Sequence, residues 1–166
     1  TVLAVDTAAE VIVAPRPLTD IESIASTVEN IPPGGGGIYV EVALRATCEQ
    51  LATTPQERRH IILFSDARDS ELPGAFHTYL PDLLGDNTTL SVIGLGSEQD
   101  PHANLLQELA AVGHGRCVFA SDAADLQHLF TQEAIVAADS AVVHQPVELR
   151  VLPSLTALGD SSLAPG

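Results

Sequence analysis

The sequence predicts an α/β fold with a mostly parallel sheet that is covered by helices on both faces. Strand-sized apolar runs alternate with helix-length amphipathic segments along most of the 166 residues, and this alternation is typical of parallel strands joined by helical crossovers. Residues 60–65 are apolar almost throughout, as expected for a strand covered on both faces. Residues 2–5 and 10–13 are separated only by a short turn, so they predict an antiparallel hairpin at one edge.

Two helices are predicted between the hairpin and the apolar strand. Thr19 or Asp20 provides the N-cap of the first helix. A loop of two prolines and four glycines, residues 32–37, separates it from the second helix, whose apolar residues recur at helical spacing over 40–51. The apolar face predicted for the first helix consists of Ile21, Ile24 and Val28.

Strands and helices continue to alternate after residue 65, and this pattern stops near Ala138. Residues 147–151 then alternate like a single strand between two prolines. We therefore expect one domain over residues 1–138 and a linker, or the start of a following β-rich domain, over residues 139–166. The elements predicted after residue 65 are a helix over 75–84 that Pro81 disturbs, a strand over 89–94, a helix ending near Gly113, a strand over 116–119 and a helix over 122–138.

The charge composition excludes several classes of partner. Twenty-two acidic and seven basic residues give a formal net charge of −15, which repels phosphate backbones and anionic membranes. Nucleic acid is therefore not expected as a partner, and no apolar run approaches the ~20 residues that membrane insertion needs. The acidity favours a role in solubility, with a basic protein or a cation as alternatives. Every basic residue is arginine, so no lysine is present for a phosphate-binding loop or a Schiff base.

The cysteines, the histidines and a Gly-x-Gly segment all have non-catalytic interpretations. Cys48 and Cys117 stand in apolar patterns and predict buried thiols, with one disulfide as the alternative. Gly94 and Gly96 are similar to the start of a dinucleotide fingerprint, but Gln99 stands where the third glycine is needed. No two histidines have the spacing of metal ligands, and we interpret all six as surface or loop residues: His60, His77, His102, His114, His128 and His144.

Five separate stretches carry a resemblance to a known family. They are residues 5–11 (VDTAAEV), 32–38 (PPGGGGI), 60–66 (HIILFSD), 92–96 (VIGLG) and 115–119 (GRCVF). In this order and spacing they resemble a von Willebrand factor A domain. The resemblance implies a Rossmann-like, three-layer α/β/α domain with a mostly parallel sheet and an antiparallel edge strand, whose first strand is missing from the chain.

The closest likeness is to a bacterial subgroup with a four-glycine loop and a strand that ends in Phe-Ser-Asp-Ala-x-Asp. It implies a larger, membrane-anchored bacterial parent protein in which a glutamine amidotransferase-like region follows the A domain. This chain would then be an internal, soluble piece of that protein. The residues leave open on which side of the membrane it lies.

The resemblance also implies a site for a divalent cation, built from three loops at the carboxyl ends of the strands. Asp66 matches the aspartate of the third loop, Gly36 and Gly37 fall where the family has a threonine, and the first loop belongs to the missing strand. The implied site is therefore a degenerate metal-ion-dependent adhesion site of Asp66, Asp69, Ser65, Gly36 and Gly37, with no cofactor beyond weak Mg²⁺ binding. Without the resemblance, these aspartate and serine residues are as well explained by capping of a helix or turn as by a cation site. Two further oxygen ligands fit the same site, Ser70 and Glu41.

These observations favour a protein-binding or scaffold module over an enzyme. No nucleophile and base are paired in the sequence, and the expected partner is a protein that the residues do not identify. One alternative is a functional cation-dependent adhesion module that upstream residues complete. The other is a non-catalytic part of an amidotransferase-like enzyme.

The missing strand would lie in mid-sheet, between the hairpin and residues 60–65. Unpaired buried backbone groups cost about 1–3 kcal/mol each, so we expect the gap to be filled. The hairpin could pair directly with residues 60–65, or an upstream segment could complete the sheet. We favour insertion of residues 147–151, either within one chain or by exchange between two copies in a symmetric homodimer.

Overall fold

The computed structural model describes residues 1–32, 39–66, 75–101 and 103–141. These ranges form a mixed α/β fold in which strands and helices alternate, as the sequence predicts. The elements are β1 (Val2–Val5), β2 (Ala9–Val13), α1 (Ile21–Glu29), α2 (Val40–Ala52), β3 (Arg59–Ser65), α3 (Phe76–Leu84), β4 (Thr88–Leu95), α4 (Ala103–Val112), β5 (His114–Ala120) and α5 (Ala123–Ala141).

The described strands form two groups. β3, β4 and β5 make a parallel sheet in that order, with His60 opposite Thr89 and Ser65 opposite Gly94. β1 and β2 form the predicted antiparallel hairpin. The parallel group positions the candidate site, because its three carboxyl ends lie along one edge.

The main core lies between the parallel sheet and helices α2, α3 and α4. One face of the sheet contributes side chains such as Ile61, Leu90 and Val92, and the helices contribute leucines such as Leu80 and Leu109. All of these are buried. Because aromatic residues make up only 4% of the chain, branched aliphatic side chains fill most of this space.

The opposite face of the parallel sheet is covered by α5, which contacts β3, β4 and β5. Side chains alternate along a strand, so Phe64 points away from the core that Ile61 and Leu63 enter, and its ring meets that of Phe130 on α5. Helices therefore lie on both faces of the sheet, as expected for a three-layer fold.

Several local signals act as predicted. The Asp20 side chain caps α1 by accepting a hydrogen bond from the Ser23 amide at 3.1 Å. α4 ends before Gly113, whose amide bonds to the Leu109 carbonyl. A Cβ at Gly113 would lie 2.5 Å from the Leu90 side chain, so this position needs glycine. Pro81 is less disruptive than expected, because α3 continues through it to Leu84.

The apolar face predicted for α1 is not buried, which corrects the sequence interpretation. No residue of α1 is buried, and the Ile21 side chain is 63% exposed. Helical periodicity predicts that a helix forms, but burial also requires a neighbour. Among the described elements, α1 makes its main contacts with β2 alone.

The interpretation of all six histidines as surface or loop residues is also wrong for His60, which lies in strand β3. The side chain of His60 is half-buried under α5, and that of His114 is exposed although its residue is part of β5. Cys48 and Cys117 are free thiols that are half-buried against the core. The last helix does not end at Ala138 but continues to Ala141.

The described strands leave the predicted gap open. β1 pairs with β2 and β3 pairs with β4, and no ladder joins β1 to β3 in the part of the chain that the structure describes. Residues 147–151 lie outside the described residues, so their insertion beside β3 stays a prediction.

Candidate functional site

The carboxyl edge of the parallel sheet is the place where open α/β sheets bind their ligands. β3 ends there with Ser65, followed by Asp66, while β4 ends at Leu95 and β5 at Ala120. The Ser65 side chain is buried and that of Asp66 is exposed. Both residues have interaction partners in this structure.

Only part of the sequence-predicted metal set can be placed. Ser65 and Asp66 are adjacent at the end of β3, whereas Asp69, Gly36 and Gly37 lie outside the described residues. Glu41, a further candidate ligand, forms an ion pair of 2.7 Å with Arg45 one turn along α2. Within residues 1–32, 39–66, 75–101 and 103–141, no three histidine, cysteine or acidic side chains are grouped to hold a metal. The degenerate cation site therefore stays a prediction.

Asp6, directly after β1, has a structural role. Its carboxylate accepts hydrogen bonds from the Thr7 amide, the Thr7 hydroxyl and the Ala8 amide. The amide of Thr7 is the main reason why the pKa of Asp6 lies below its usual value. These bonds close the turn between β1 and β2, as an Asx turn does.

The Gly-x-Gly segment at the end of β4 is explained by packing. A Cβ at Gly94 would lie 2.6 Å from the Phe119 ring. Gly96 has a φ of +131°, and a Cβ there would collide with the carboxylate of Asp100, which accepts a hydrogen bond from the Ser97 amide at 2.8 Å. Gly94 is therefore needed for close packing, and Gly96 for its backbone conformation.

An apolar surface lies at the carboxyl edge on the α5 side of the sheet. We call Phe64, Leu95 and Phe130 the carboxyl-edge patch, and their exposed fractions are 43%, 44% and 45%. Phe64 pairs with Ile93 in the ladder, so Leu95, two residues further along β4, lies on the same face as Phe64. Exposed apolar groups next to a ligand-binding edge make this patch a candidate interaction surface.

Sequence reasoning missed this patch because it interpreted residues 60–65 as a strand covered on both faces. That interpretation holds for Ile61, which is buried, but not for Phe64. The apolar run shows that the strand is central, but it carries no signal for how far the neighbouring helix reaches along it.

A polar cluster lies deeper on the same face, between α5 and the sheet. Glu133 of α5 is 2% exposed, and its Oε1 accepts a hydrogen bond from Arg116 of β5 at 2.5 Å. His60 of β3 lies on the same face of the sheet, with its Nδ1 2.6 Å from the Thr89 hydroxyl. Burial holds the pKa of His60 below its usual value, although the charge of Glu133 acts in the opposite direction. We call His60, Arg116 and Glu133 the α5 anchor.

The two thiols are poor nucleophiles at neutral pH. Burial raises the pKa of Cys48, and burial together with the charge of Glu98 raises the pKa of Cys117 to about 11. Since the thiolate is the reactive form, both side chains act as small apolar groups at the edge of the core.

Comparison with known proteins identifies the family. The family model of the von Willebrand factor type A domain matches residues 1–119. This chain belongs to that family. This match confirms the resemblance to the family that the five sequence stretches carry. The antiparallel hairpin and the parallel strands are elements of the family's Rossmann-like fold.

Solved structures share the fold of this A domain. BatB, a conserved hypothetical protein from Bacteroides thetaiotaomicron, has a TM-score of 0.66 and 19% identity over 82% of this chain and 78% of its own. A von Willebrand factor type A protein from Catenulispora acidiphila has a TM-score of 0.66 and 23% identity over 81% of this chain and 32% of its own.

A third similar structure is an aerotolerance-related membrane protein from Bacteroides fragilis, with a TM-score of 0.60 and 18% identity over 81% of this chain and 77% of its own. At these identities the likeness concerns the fold. A search of curated protein sequences found no match. In the A domain itself, none of the described helices has the length and apolar character to span a membrane.

Proposed function

We propose that this A domain is a protein-binding or scaffold module of a larger, membrane-associated bacterial protein, and that the carboxyl-edge patch is its contact surface. The observation that carries the proposal is the exposure of Phe64, Leu95 and Phe130 at the edge where open α/β sheets bind ligands. Interfaces are enriched in aromatic residues at their centres, and two of these three side chains are phenylalanines.

The surroundings of the patch suit a protein partner. Asp66 follows β3 directly after Phe64 and Ser65, so an exposed carboxylate borders the apolar surface. With a net charge of −15 on the chain, a partner with basic residues around an apolar centre would be attracted over a distance and then held by apolar contact.

The fold-level relatives support the membrane association. One similar structure is described as a membrane protein, and the bacterial subgroup that the sequence resembles occurs in membrane-anchored proteins. We place this A domain as a non-catalytic module of such a protein. Its attachment to the membrane would come from other parts of the parent.

Cation binding has at most a minor part in this proposal. Gly36 and Gly37 offer no side-chain oxygen at the position where the family has a threonine. Asp66 and Ser65 can contribute oxygen ligands, so weak Mg²⁺ binding is compatible with the site. A cation-dependent adhesion module would instead require tight binding through Asp66.

Photo-crosslinking in the source cell tests the proposed surface. A photoreactive phenylalanine analogue is placed at position 64 of the natural full-length protein, and in a matched control at position 77 on α3, where His77 is exposed on the other side of the sheet. We expect a discrete protein to crosslink from position 64 and not from position 77. Equal crosslinking from both positions, or none from position 64, would contradict the assignment of the surface.

A further inference from the structure

The side of α5 that faces the sheet buries a charged residue. Among the α5 side chains whose burial the structure describes, only that of Glu133 is buried, at 2% exposure. Two apolar residues that follow it in the helix, Ile135 and Val136, are 56% and 44% exposed. Apolar burial alone would favour the opposite arrangement, because burying a carboxylate costs free energy and burying apolar side chains releases it. Another interaction therefore determines which side of α5 faces the sheet.

The ion pair between Glu133 and Arg116 is that interaction. Oε1 of Glu133 accepts a hydrogen bond from Nη2 of Arg116 at 2.5 Å. The second carboxylate oxygen, Oε2, has no hydrogen-bond partner within the described residues, so Arg116 is the group that compensates the buried charge. Arg116 is itself fixed in the sheet, because its amide donates a hydrogen bond to the hydroxyl of Ser91 at 3.2 Å.

The start of α5 is fixed by a separate contact. The carboxylate of Asp122 accepts hydrogen bonds from the amides of Ala124 and Asp125 at 2.8 and 2.9 Å, which caps the helix directly after β5. Glu133 lies roughly 16 Å further along the helix axis, at 1.5 Å per residue. A helix that is held only at its start can still swing and turn about its axis. The pair with Arg116 supplies the second fixed point that removes this freedom.

We propose that the Arg116–Glu133 pair determines the orientation of α5 on the sheet and thereby holds Phe130 against Phe64. Phe130 lies about one turn before Glu133 on the same side of the helix, and its ring is 5.7 Å from that of Phe64 between centroids. Without the pair, apolar burial would turn Val136 toward the sheet and Phe130 away from Phe64. This inference goes beyond the proposed function, because it concerns how α5 is held and requires no bound partner.

NMR spectroscopy of the 166-residue chain tests the orientation of α5 through the cross-peaks between the protons of the two rings. We expect one set of Phe64–Phe130 cross-peaks in the natural chain. Glu133→Ala removes the pair without leaving a buried charge, so the chain should stay folded while these cross-peaks weaken severalfold. Undiminished cross-peaks in Glu133→Ala would overturn the proposal, because apolar packing alone would then orient the helix.

Substitutions at Arg116 separate orientation from a general loss of stability. Arg116→Lys keeps a cation beside the carboxylate and should retain most of the cross-peak intensity, whereas Arg116→Ala should lose it; equal intensities in the two variants would contradict the role of the charge. The matched control is Glu108→Ala, which breaks the ion pair with His77 between α3 and α4. It should leave the Phe64–Phe130 cross-peaks unchanged, and a loss as large as in Glu133→Ala would also overturn the proposal.

The guanidinium of Arg116 provides a measurement in the natural chain that needs no substitution. Because one of its nitrogens is bound to a buried carboxylate, rotation of the guanidinium should be slowed, with separate NMR signals for its protons at low temperature. The same group in the urea-unfolded chain should give averaged signals. Equally averaged signals in the folded chain would show that Arg116 does not hold Glu133, against the proposed role of the pair.

Discussion

The rings of Phe64 on β3 and Phe130 on α5 lie 5.7 Å apart between centroids, with their planes tilted by 35°. This distance is in the range of favourable aromatic pairs, yet more than two-fifths of each side chain remains exposed. The pair joins the last helix to the end of the first parallel strand. It also presents an apolar surface beside Asp66, and this surface carries the functional proposal.

The buried side chains between the sheet and α3 and α4 should dominate stability. Leu80 is fully buried in this core, so Leu80→Ala is expected to lower the free energy of unfolding by about 2–5 kcal/mol. Leu18→Ala is the matched control, because Leu18 is 71% exposed and its truncation should change stability by less than about 0.5 kcal/mol. Urea denaturation measures both, and equal losses would contradict this core assignment.

The thiol of Cys117 should be unreactive in the folded chain. With a pKa of about 11, the thiolate is a small minority at pH 7.4, and its reaction with a thiol-specific reagent should accelerate as the pH rises through 8 to 10. The variant Cys48→Ser isolates the signal of Cys117. Reaction in the folded chain at pH 7.4 as fast as in guanidinium chloride would contradict the burial of this group.

Metal binding should be weak. Because Gly36 and Gly37 supply no hydroxyl ligand, we expect Mg²⁺ or Mn²⁺ to bind no more tightly than millimolar. Asp66→Ala should alter such weak binding only slightly. Titration calorimetry measures this directly. A one-to-one isotherm in the micromolar range that vanishes in Asp66→Ala would show a working adhesion site.

Filling of the gap beside β3 remains a prediction that deletion can test. If residues 147–151 pair with the edge of β3 that faces away from β4, removal of residues 142–166 should speed amide exchange in Ile61, Ile62 or Leu63. Exchange between two copies would also make the undeleted chain dimeric in size-exclusion chromatography with light scattering. Unchanged exchange after the deletion would exclude the tail as the added strand.

The sequence predicted the fold well where the signal is local. The apolar run ending in Phe64 and Ser65, the cap at Asp20 and the stop at Gly113 all mark elements that the structure contains. It did less well where burial depends on neighbours distant in sequence. Ile21 belongs to a regular apolar face, but nothing in the periodicity shows that no other element in the described part of the chain covers α1.

The candidate site was only partly predictable for the same reason. Asp66 could be placed at the end of β3 from its position after the apolar run. The α5 anchor depends on the strand register and on the orientation of α5, which place His60, Arg116 and Glu133 on one face of the sheet. His60 and Glu133 are 73 positions apart in the sequence. The one available signal was Glu133 itself, an acidic residue in the apolar register of the last helix.

The affinity of the partner captured at position 64 tests the central claim most directly. Isothermal titration with the purified partner compares the natural chain, Phe64→Ser and Asp66→Ala, each with and without a chelator. The account predicts that Phe64→Ser weakens binding at least about tenfold, or ~1.4 kcal/mol, while Asp66→Ala and the chelator leave it within about twofold, or ~0.4 kcal/mol. Binding that survives Phe64→Ser but is lost in Asp66→Ala and in chelator would contradict the account and establish cation-dependent adhesion instead.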